Sequence, residues 1–147
     1  MRILIINGPN LNFLGIREKG VYGDRDYASL LALIDKKADE LNINVETFQS
    51  NGEGEIIDRL QRAYHEKVDG IIINPAAYTH YSYAIRDALA CFTIPKIEVH
   101  ISNVHEREEF RHVSVTAPVC DEQIIGHGLE GYLMAMESII RLCNKNN

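Results

Sequence analysis

Short runs of branched apolar residues alternate along this chain with segments in which apolar residues recur every three or four positions. The first pattern is typical of buried β-strands, and the second of helices with one apolar face. The strand-like runs lie at residues 2–6, 43–48, 68–73, 94–99 and 113–116. This alternation is typical of α/β proteins with a parallel sheet. We therefore predict a doubly wound sheet of five parallel strands in a three-layer α/β fold.

The segments between the strands predict helices. Asp26 has the side chain of an N-cap, and Asn42 ends the apolar periodicity that follows it. A turn at 51–54 leads into a second helix whose apolar face runs from Ile56 to Tyr64, and further helices are expected over 83–89 and 128–143.

Three shorter features complete the predicted organisation. Residues 76–80 are expected to form a loop, and the hydroxyls of Thr79 and Ser82 to act as helix caps. Asn103 is placed to cap a short charged helix that ends near Phe110.

Three predicted strands end in a side chain suited to chemistry. Asn7 and Asn74 each follow a triplet of apolar residues, and His100 follows Ile97-Glu98-Val99. The carboxyl ends of parallel strands meet at one edge of the sheet, and ligands bind there. The sequence therefore predicts an active site at this edge.

The loop over residues 8–23 is too long to serve as a simple connection, which favours a lid. It contains Arg17 and Tyr22. A tyrosine with a pKa near ~10 becomes a usable base only where a nearby cation favours its phenolate, which Arg17 can supply. The alternative for residues 7–10 is an ordinary turn, since asparagine, glycine and proline are common in turns.

Composition and charge limit the possible partners. The 147 residues fit one domain, 1–147, with ordinary globular proportions of 46% hydrophobic and 24% charged residues. The net charge of -6 argues against nucleic acid or an anionic membrane surface as the main partner. An acidic protein can still contain a basic pocket.

The cysteines and the apolar runs bear on localisation. Cys91, Cys120 and Cys143 include no CxxC pair, so we expect packed thiols in a reducing cytoplasm. No apolar run approaches the ~20 residues that cross a bilayer.

Several polar residues near the strand ends are further candidates. Glu98 lies two residues before His100, close enough to orient its imidazole only through local bending, and His100 could then act as a general acid. His80 lies between a strand end and a helix start, where polar groups converge on small ligands. The backbone around Ser102 could bind a carboxylate. Arg111 is either a solvated charge or a cation of the same cleft.

Two patterns predict nothing catalytic. Residues 126–131 match GxGxxG, but the chain leaves no room for the βαβ unit of a dinucleotide fingerprint, so helix packing is the better interpretation. The six histidines lack HExxH or His/Cys spacing, and we predict no bound metal.

A series of motifs at characteristic spacing runs along almost the entire chain. They occupy residues 7–12, 14–15, 17–18, 22–23, 74–80, 84–89, 98–103 and 110–112. Together these motifs resemble type II 3-dehydroquinate dehydratase. The resemblance implies a flavodoxin-like fold and the cofactor-free dehydration of 3-dehydroquinate to 3-dehydroshikimate, in the shikimate route or in quinate breakdown.

The resemblance also implies catalytic roles. Tyr22 corresponds to the base that removes a proton beside the ketone, and Arg17 lowers its pKa. Asn10 corresponds to the residue that holds the water stabilising the enolate. His100, oriented by Glu98, corresponds to the acid that protonates the departing hydroxyl in an anti elimination.

Substrate contacts and assembly follow from the same resemblance. It assigns Asn74, His80 and Arg111 to the ring hydroxyls, the backbone of Ile101 and Ser102 to the substrate carboxylate, and Asp87 to the site of a neighbouring subunit. It implies a homo-oligomer in which trimers group into a dodecamer.

The chain departs from the family pattern in two places. Lys19-Gly20 stands where the family has proline, which should loosen the lid. Residues 120–123 lack the family's glycine, and we expect that difference to be remote from the chemistry.

Two other functions stay open on the residues alone. A flavodoxin-like module that binds a nucleotide or phosphate without catalysis would not require Tyr22. A Schiff-base dehydratase of the unrelated type I needs a pocket lysine, and the lysines avoid the predicted strand ends.

Overall fold

The computed structural model describes residues 1–16 and 25–147. Its sheet has five strands: β1 (Arg2–Asn7), β2 (Asn44–Gln49), β3 (Gly70–Asn74), β4 (Lys96–His100) and β5 (Glu122–Ile125). Every neighbouring pair is parallel, and the spatial order is β2-β1-β3-β4-β5. This is the flavodoxin-like order of a doubly wound sheet. The predicted fold class is confirmed.

Four α-helices among the described residues connect these strands: α1 (Tyr27–Leu41), α2 (Glu53–Glu66), α3 (Tyr83–Ala90) and α4 (Glu130–Lys145). The predicted ends of α1 are confirmed. The Asp26 carboxylate accepts a hydrogen bond from the Ser29 N–H at 2.8 Å, and Asn42 ends the helix in the left-handed conformation. Ser82 caps α3 as predicted, accepting from the Ile85 N–H at 3.1 Å.

Alternating side chains of the central strands supply two separate cores. Ile3 and Ile5 of β1 pack with α1 and α4, whereas Leu4 and Ile6 pack with α2 and α3. This alternation follows from the twofold side-chain period of a strand. Because both of their faces are covered, β1 and β3 are continuous apolar runs, which is the usual character of buried parallel strands.

The predicted fifth strand is wrong. Residues 113–116 form no strand, and the strand that pairs with β4 at this edge of the sheet is β5. The Val115 N–H instead donates to the Thr79 carbonyl at 2.7 Å, and the Val113 carbonyl lies 2.8 Å from His80 Nδ1. The alternation that imitates a strand here directs two hydroxyls, those of Ser114 and Thr116, toward one buried carboxylate, Glu98.

Other connections are short 3₁₀ helices, and they correct two further predictions. Residues 76–80 form one 3₁₀ helix instead of a loop, and the predicted helix over 103–110 is two, Val104–Glu106 and Glu109–His112. Asn103 caps the first of these two as predicted, since its Oδ1 accepts from the His105 N–H at 3.2 Å. Leu11–Phe13 and Ala117–Val119 are also 3₁₀ helices.

The GxGxxG segment serves helix packing, as predicted. Gly126 and Gly128 have positive φ angles, and Gly131 lies buried in the first turn of α4. A Cβ at Gly131 would lie 3.5 Å from Val99 of β4, an ordinary van der Waals distance, so this position packs against the sheet without requiring glycine. Among the described helices, none has the length and apolar character required to span a membrane.

Candidate active site

The three predicted strand ends meet at one edge of the sheet. Asn7 pairs with Asn74 in the β1–β3 register, and His100 ends the neighbouring strand β4. All three side chains are buried. The strand order reverses between β1 and β3, which is the switch point where ligands bind in folds of this type.

A cavity opens above this edge. Among the described residues it is lined by Pro9, Asn10, Leu11, Asn74, Ala76, Ala77, His80, His100, Ile101, Ser102, Val104, Arg107 and Arg111. No aspartate or glutamate belongs to this part of the lining, although the chain carries a net charge of -6. Arg107 and Arg111 therefore give the cavity a basic side that suits an anionic ligand.

A histidine–carboxylate pair lies on the β4 side of the cavity. His100 Nε2 is 3.0 Å from Glu98 Oε2, and both side chains are buried. Burial by itself raises the pKa of Glu98. The hydrogen bond and charge of His100 and the hydrogen bonds from Thr116 and Ser114 act in the opposite direction and are stronger, so this pKa lies below its ordinary value. The predicted proximity of the two residues is confirmed.

Four more donors surround Glu98. The Thr79 hydroxyl contacts Oε1 at 3.1 Å, and the Thr116 hydroxyl donates to the same oxygen. Oε2 accepts from the Ser114 hydroxyl at 2.9 Å and from Gln123 Nε2 at 2.8 Å. The prediction that Thr79 is a helix cap is therefore wrong. So is the expectation that residues 120–123 are remote from the chemistry, because β5 brings Gln123 to Glu98.

Neutral amides occupy the other side of the edge. The Tyr132 hydroxyl, from α4, donates to Asn7 Oδ1 at 2.7 Å and accepts from Asn74 Nδ2 at 2.9 Å. Asn74 Oδ1 in turn accepts from the Ala76 N–H at 3.1 Å. Sequence reasoning missed Tyr132, since no local pattern connects a helix residue to strand ends 58 and 125 positions away.

The backbone at Asn10 is fixed by the loop after β2. Asn10 adopts a left-handed φ of 68°, and its N–H donates to Asn51 Oδ1 at 3.0 Å. Gln49 Nε2 donates to the Gly8 carbonyl at 3.1 Å and to the same Asn51 oxygen at 3.2 Å. A Cβ at Gly8 would lie 2.6 Å from the Pro75 carbonyl oxygen, so only glycine fits there.

His80 presents one defined nitrogen to the cavity. Its Nδ1 lies 2.8 Å from the Val113 carbonyl, which can only accept, so Nδ1 carries the proton. Burial lowers the pKa of His80, with smaller opposing and reinforcing effects from its neighbours. At neutral pH His80 is therefore uncharged, and Nε2 can accept a hydrogen bond from a ligand hydroxyl.

Arg111 belongs to the cavity, which resolves the choice between a solvated charge and a cleft cation. Its guanidinium lies 4.8 Å from the centre of the Phe110 ring, and its Nε donates to Glu108 at 2.6 Å. Arg107 also lines the cavity and was missed, because nothing in its charged segment distinguishes it from solvated neighbours.

The structure does not bring every predicted residue to this cavity. Asp87 lies on the exposed face of α3, outside the lining. Arg17, Tyr22 and the Lys19-Gly20 pair lie outside the described residues. Among residues 1–16 and 25–147, no three His, Cys, Asp or Glu side chains converge as a metal site would require.

Comparison with known proteins places this geometry in a family. Residues 1–140 match the family described as Dehydroquinase class II. The chain belongs to the class II dehydroquinase family. It is 70% identical over 142 residues to the 3-dehydroquinate dehydratase of Lachnoclostridium phytofermentans, which covers 97% of this chain and 98% of that relative.

Solved structures agree with this assignment. The crystal structure of type II dehydroquinase from Butyrivibrio crossotus has a TM-score of 0.94 and 63% identity, covering 95% of this chain and 97% of that one. That from Propionibacterium acnes has a TM-score of 0.89 and 40% identity, covering 97% and 96%. This dehydroquinase is thus an enzyme of the hydro-lyase class.

Proposed function

We propose that this dehydroquinase removes water from 3-dehydroquinate to give 3-dehydroshikimate. The observation that carries the proposal is the buried pair of His100 and Glu98, 3.0 Å apart, in a family member whose cavity wall has a basic side. The named relative at 70% identity is a 3-dehydroquinate dehydratase, and this is the reaction we transfer.

His100 is the general acid in this proposal. Its Nε2 faces Glu98, so Nδ1 is the ring nitrogen that can exchange a proton with a bound molecule. An ionised Glu98 stabilises the imidazolium and fixes the ring orientation, which is the usual function of a carboxylate behind a catalytic histidine. The imidazolium then protonates the hydroxyl that leaves the substrate as water.

Tyr22 is the proposed base, with Arg17 lowering its pKa. The phenolate takes the proton beside the ketone, and the electron pair of that C–H bond moves to the ketone oxygen as an enolate. Asn10 holds the water that donates to this oxygen. Collapse of the enolate forms the carbon–carbon double bond and breaks the bond to the hydroxyl that His100 protonates, on the opposite face from Tyr22.

Recognition of the substrate falls to the remaining lining residues. His80 Nε2 is suited to accept from a ring hydroxyl, because its other nitrogen donates to a backbone carbonyl. Asn74 and Arg111 contact hydroxyls beside it, and the backbone of Ile101 and Ser102 receives the substrate carboxylate. The basic side of the cavity favours this anion.

Assembly and location complete the proposal. Asp87 is exposed on α3 and is not among the described residues that line the active-site cavity, which is compatible with a contact in a neighbouring subunit of a homo-oligomer, trimers grouped into a dodecamer. The thiols of Cys91 and Cys143 donate to backbone carbonyls, as free thiols do in the reducing cytoplasm where we expect the enzyme.

The test is an assay of the purified protein with 3-dehydroquinate. We expect a rise in enone absorbance, and we expect Tyr22→Phe to lose roughly 10²–10⁴-fold in kcat because a general base is removed. Unchanged circular dichroism would establish that the variant is folded. Full activity in Tyr22→Phe would contradict the assignment of the base, and an inactive wild type across pH would favour a binding module.

A further inference from the structure

Glu98 has a hydrogen-bonding neighbour for every lone-pair site of its carboxylate. Besides His100, its two oxygens contact the four side chains that we call the Glu98 donors: Thr79, Ser114, Thr116 and Gln123. An ionised carboxylate offers about four lone-pair sites, so these contacts fill its capacity. We propose that the Glu98 donors are positioning residues that hold Glu98 ionised and fixed behind His100; this inference rests on the proposed function.

The Oε2 atom has no room for a proton of its own. Gln123 Nε2 and His100 Nε2 face it at 2.8 and 3.0 Å, and an amide nitrogen can only donate. The Ser114 oxygen, at 2.9 Å, already accepts from the Ala117 N–H at 2.9 Å, which leaves the Ser114 proton free to point at Glu98. Gln123 and Ser114 therefore favour the carboxylate over the carboxylic acid.

The three hydroxyl oxygens are also in contact with one another; because each hydroxyl has a single proton, one that donates to Glu98 can only accept from a neighbouring hydroxyl. The Thr79 and Ser114 oxygens are 2.7 Å apart, those of Thr79 and Thr116 are 3.0 Å apart, and those of Ser114 and Thr116 are 3.2 Å apart. Thr79 comes from the 3₁₀ helix after β3, whereas the other two come from the segment before β5. Glu98 thus joins two connections that border the cavity, and its position depends on both.

Two other titratable groups near Glu98, Cys120 and His80, stay uncharged around neutral pH. Burial, with the nearby Glu98 and Asp121, raises the pKa of Cys120 to about 12, so its thiol stays neutral. Burial lowers the pKa of His80, which is also uncharged at pH 7. Lys96 lies on the same side of β4, and its ammonium donates to the Phe92 carbonyl at 2.6 Å. The proton balance at this site therefore concerns Glu98 and His100.

Gln123 and Thr116 give the sharpest variants. Gln123 lies on the exposed edge strand, so Gln123→Met removes a donor without opening the core. Thr116→Val removes a buried hydroxyl with little change of shape, and Thr116→Ser returns it. Gln61→Met, at an exposed glutamine of α2, is the matched control.

The measurement is the titration of the Glu98 carboxyl carbon by ¹³C NMR, with the pH profile of kcat/KM beside it. In Gln123→Met and Thr116→Val we expect the Glu98 midpoint to rise by about one pH unit, because each loses a hydrogen bond to the ionised form. The acidic limb of the activity profile should move the same way, whereas Thr116→Ser and Gln61→Met should resemble the wild type.

An unchanged Glu98 midpoint in both Gln123→Met and Thr116→Val would overturn the proposal. If Thr116→Val does not fold, Gln123→Met alone decides it. The NMR titration needs no substrate, so an inactive wild type would refute the proposed function while the donors around Glu98 could still be tested.

Discussion

The two sides of the active-site edge are built from different chemistry. At β4 and β5, a buried carboxylate is surrounded by donors and pairs with His100. At β1 and β3, Asn7 and Asn74 share the Tyr132 hydroxyl, and no described ionisable group is hydrogen-bonded to them other than the tyrosines Tyr132 and Tyr27. The β4 side favours the ionised form of Glu98. The β1 side holds the Asn7 and Asn74 side chains in place through hydrogen bonds that do not depend on a charge.

In the proposed mechanism, this difference separates two kinds of function in one cavity. A group that donates a proton needs a neighbour that stabilises its charged form, which a buried carboxylate supplies. A group that orients a neutral ring hydroxyl needs only a rigid direction, which a satisfied amide network supplies. Variants on the β4 side should therefore change kcat and its pH dependence, and variants on the β1 side should change binding and stability.

The largest expected effect is that of His100→Gln. The glutamine amide can still donate to Glu98, but it cannot transfer a proton, so we expect kcat to fall by roughly 10²–10⁴-fold while KM changes little. Steady-state assays with 3-dehydroquinate measure both constants. His105→Gln, at an exposed histidine outside the cavity lining, should match the wild type. A large rise in KM with an unchanged kcat would contradict the proposal that the β4 side acts in proton transfer and the β1 side in binding.

Glu98→Gln tests the β4 side of the edge through protein stability. The loss of stability that it causes should depend on pH. Removing the carboxylate that accepts the buried hydrogen bonds costs roughly 1.5–3 kcal/mol at neutral pH. The pKa of Glu98 in the folded protein lies below its unfolded value of ~4.3, so its stabilisation is complete above that value and disappears as pH falls through the folded pKa. The stability difference between wild type and variant should shrink in that acidic range.

Urea unfolding between pH 7 and pH 3 measures this difference. Glu130 provides a contrast, because its pKa of about 2 comes from Arg25 at an exposed position. Glu130→Gln should cost no more than about 1 kcal/mol, since solvent screens surface ion pairs. A difference for Glu98→Gln that stays constant down to pH 3 would mean that the charge of Glu98 contributes nothing to folding.

The strands that the sequence predicted correctly differ physically from the one that it missed. The apolar runs of β1 and β3 identified their strands because both faces of a central strand are buried and leave no polar alternation. β5 was missed because it is four residues long, contains Glu122 and Gln123, and pairs on one side only. Residues 113–116 imitated a strand because Ser114 and Thr116 alternate for a different reason, their bonds to Glu98.

Within the site, the rule that parallel strand ends converge was enough to find Asn7, Asn74 and His100. It could not find Tyr132 or Gln123, whose contributions depend on how α4 and β5 dock rather than on neighbouring residues. The separation of 125 residues between Tyr132 and Asn7 illustrates the difficulty. Long-range polar contacts of this kind leave no periodic signal in one sequence.

The smallest expected effect, and the sharpest test of the neutral side, is Tyr132→Phe. Removing the hydroxyl leaves Asn7 Oδ1 and one Asn74 N–H without their buried partner, which should cost about 1–3 kcal/mol in the free energy of unfolding. Because Asn74 lines the cavity, KM should rise more than kcat falls. The pH profile of kcat should keep its wild-type shape, since no charge is lost.

Urea unfolding and steady-state kinetics on the same preparation provide both readouts. Tyr64→Phe, at a tyrosine 57% exposed and far from the strand ends, is the control and should leave stability and KM unchanged. A shifted acidic limb in Tyr132→Phe would contradict the comparison, because it would mean that the amide network also sets the protonation of Glu98 and His100. An unshifted limb with raised KM would establish that the two sides of the edge act independently.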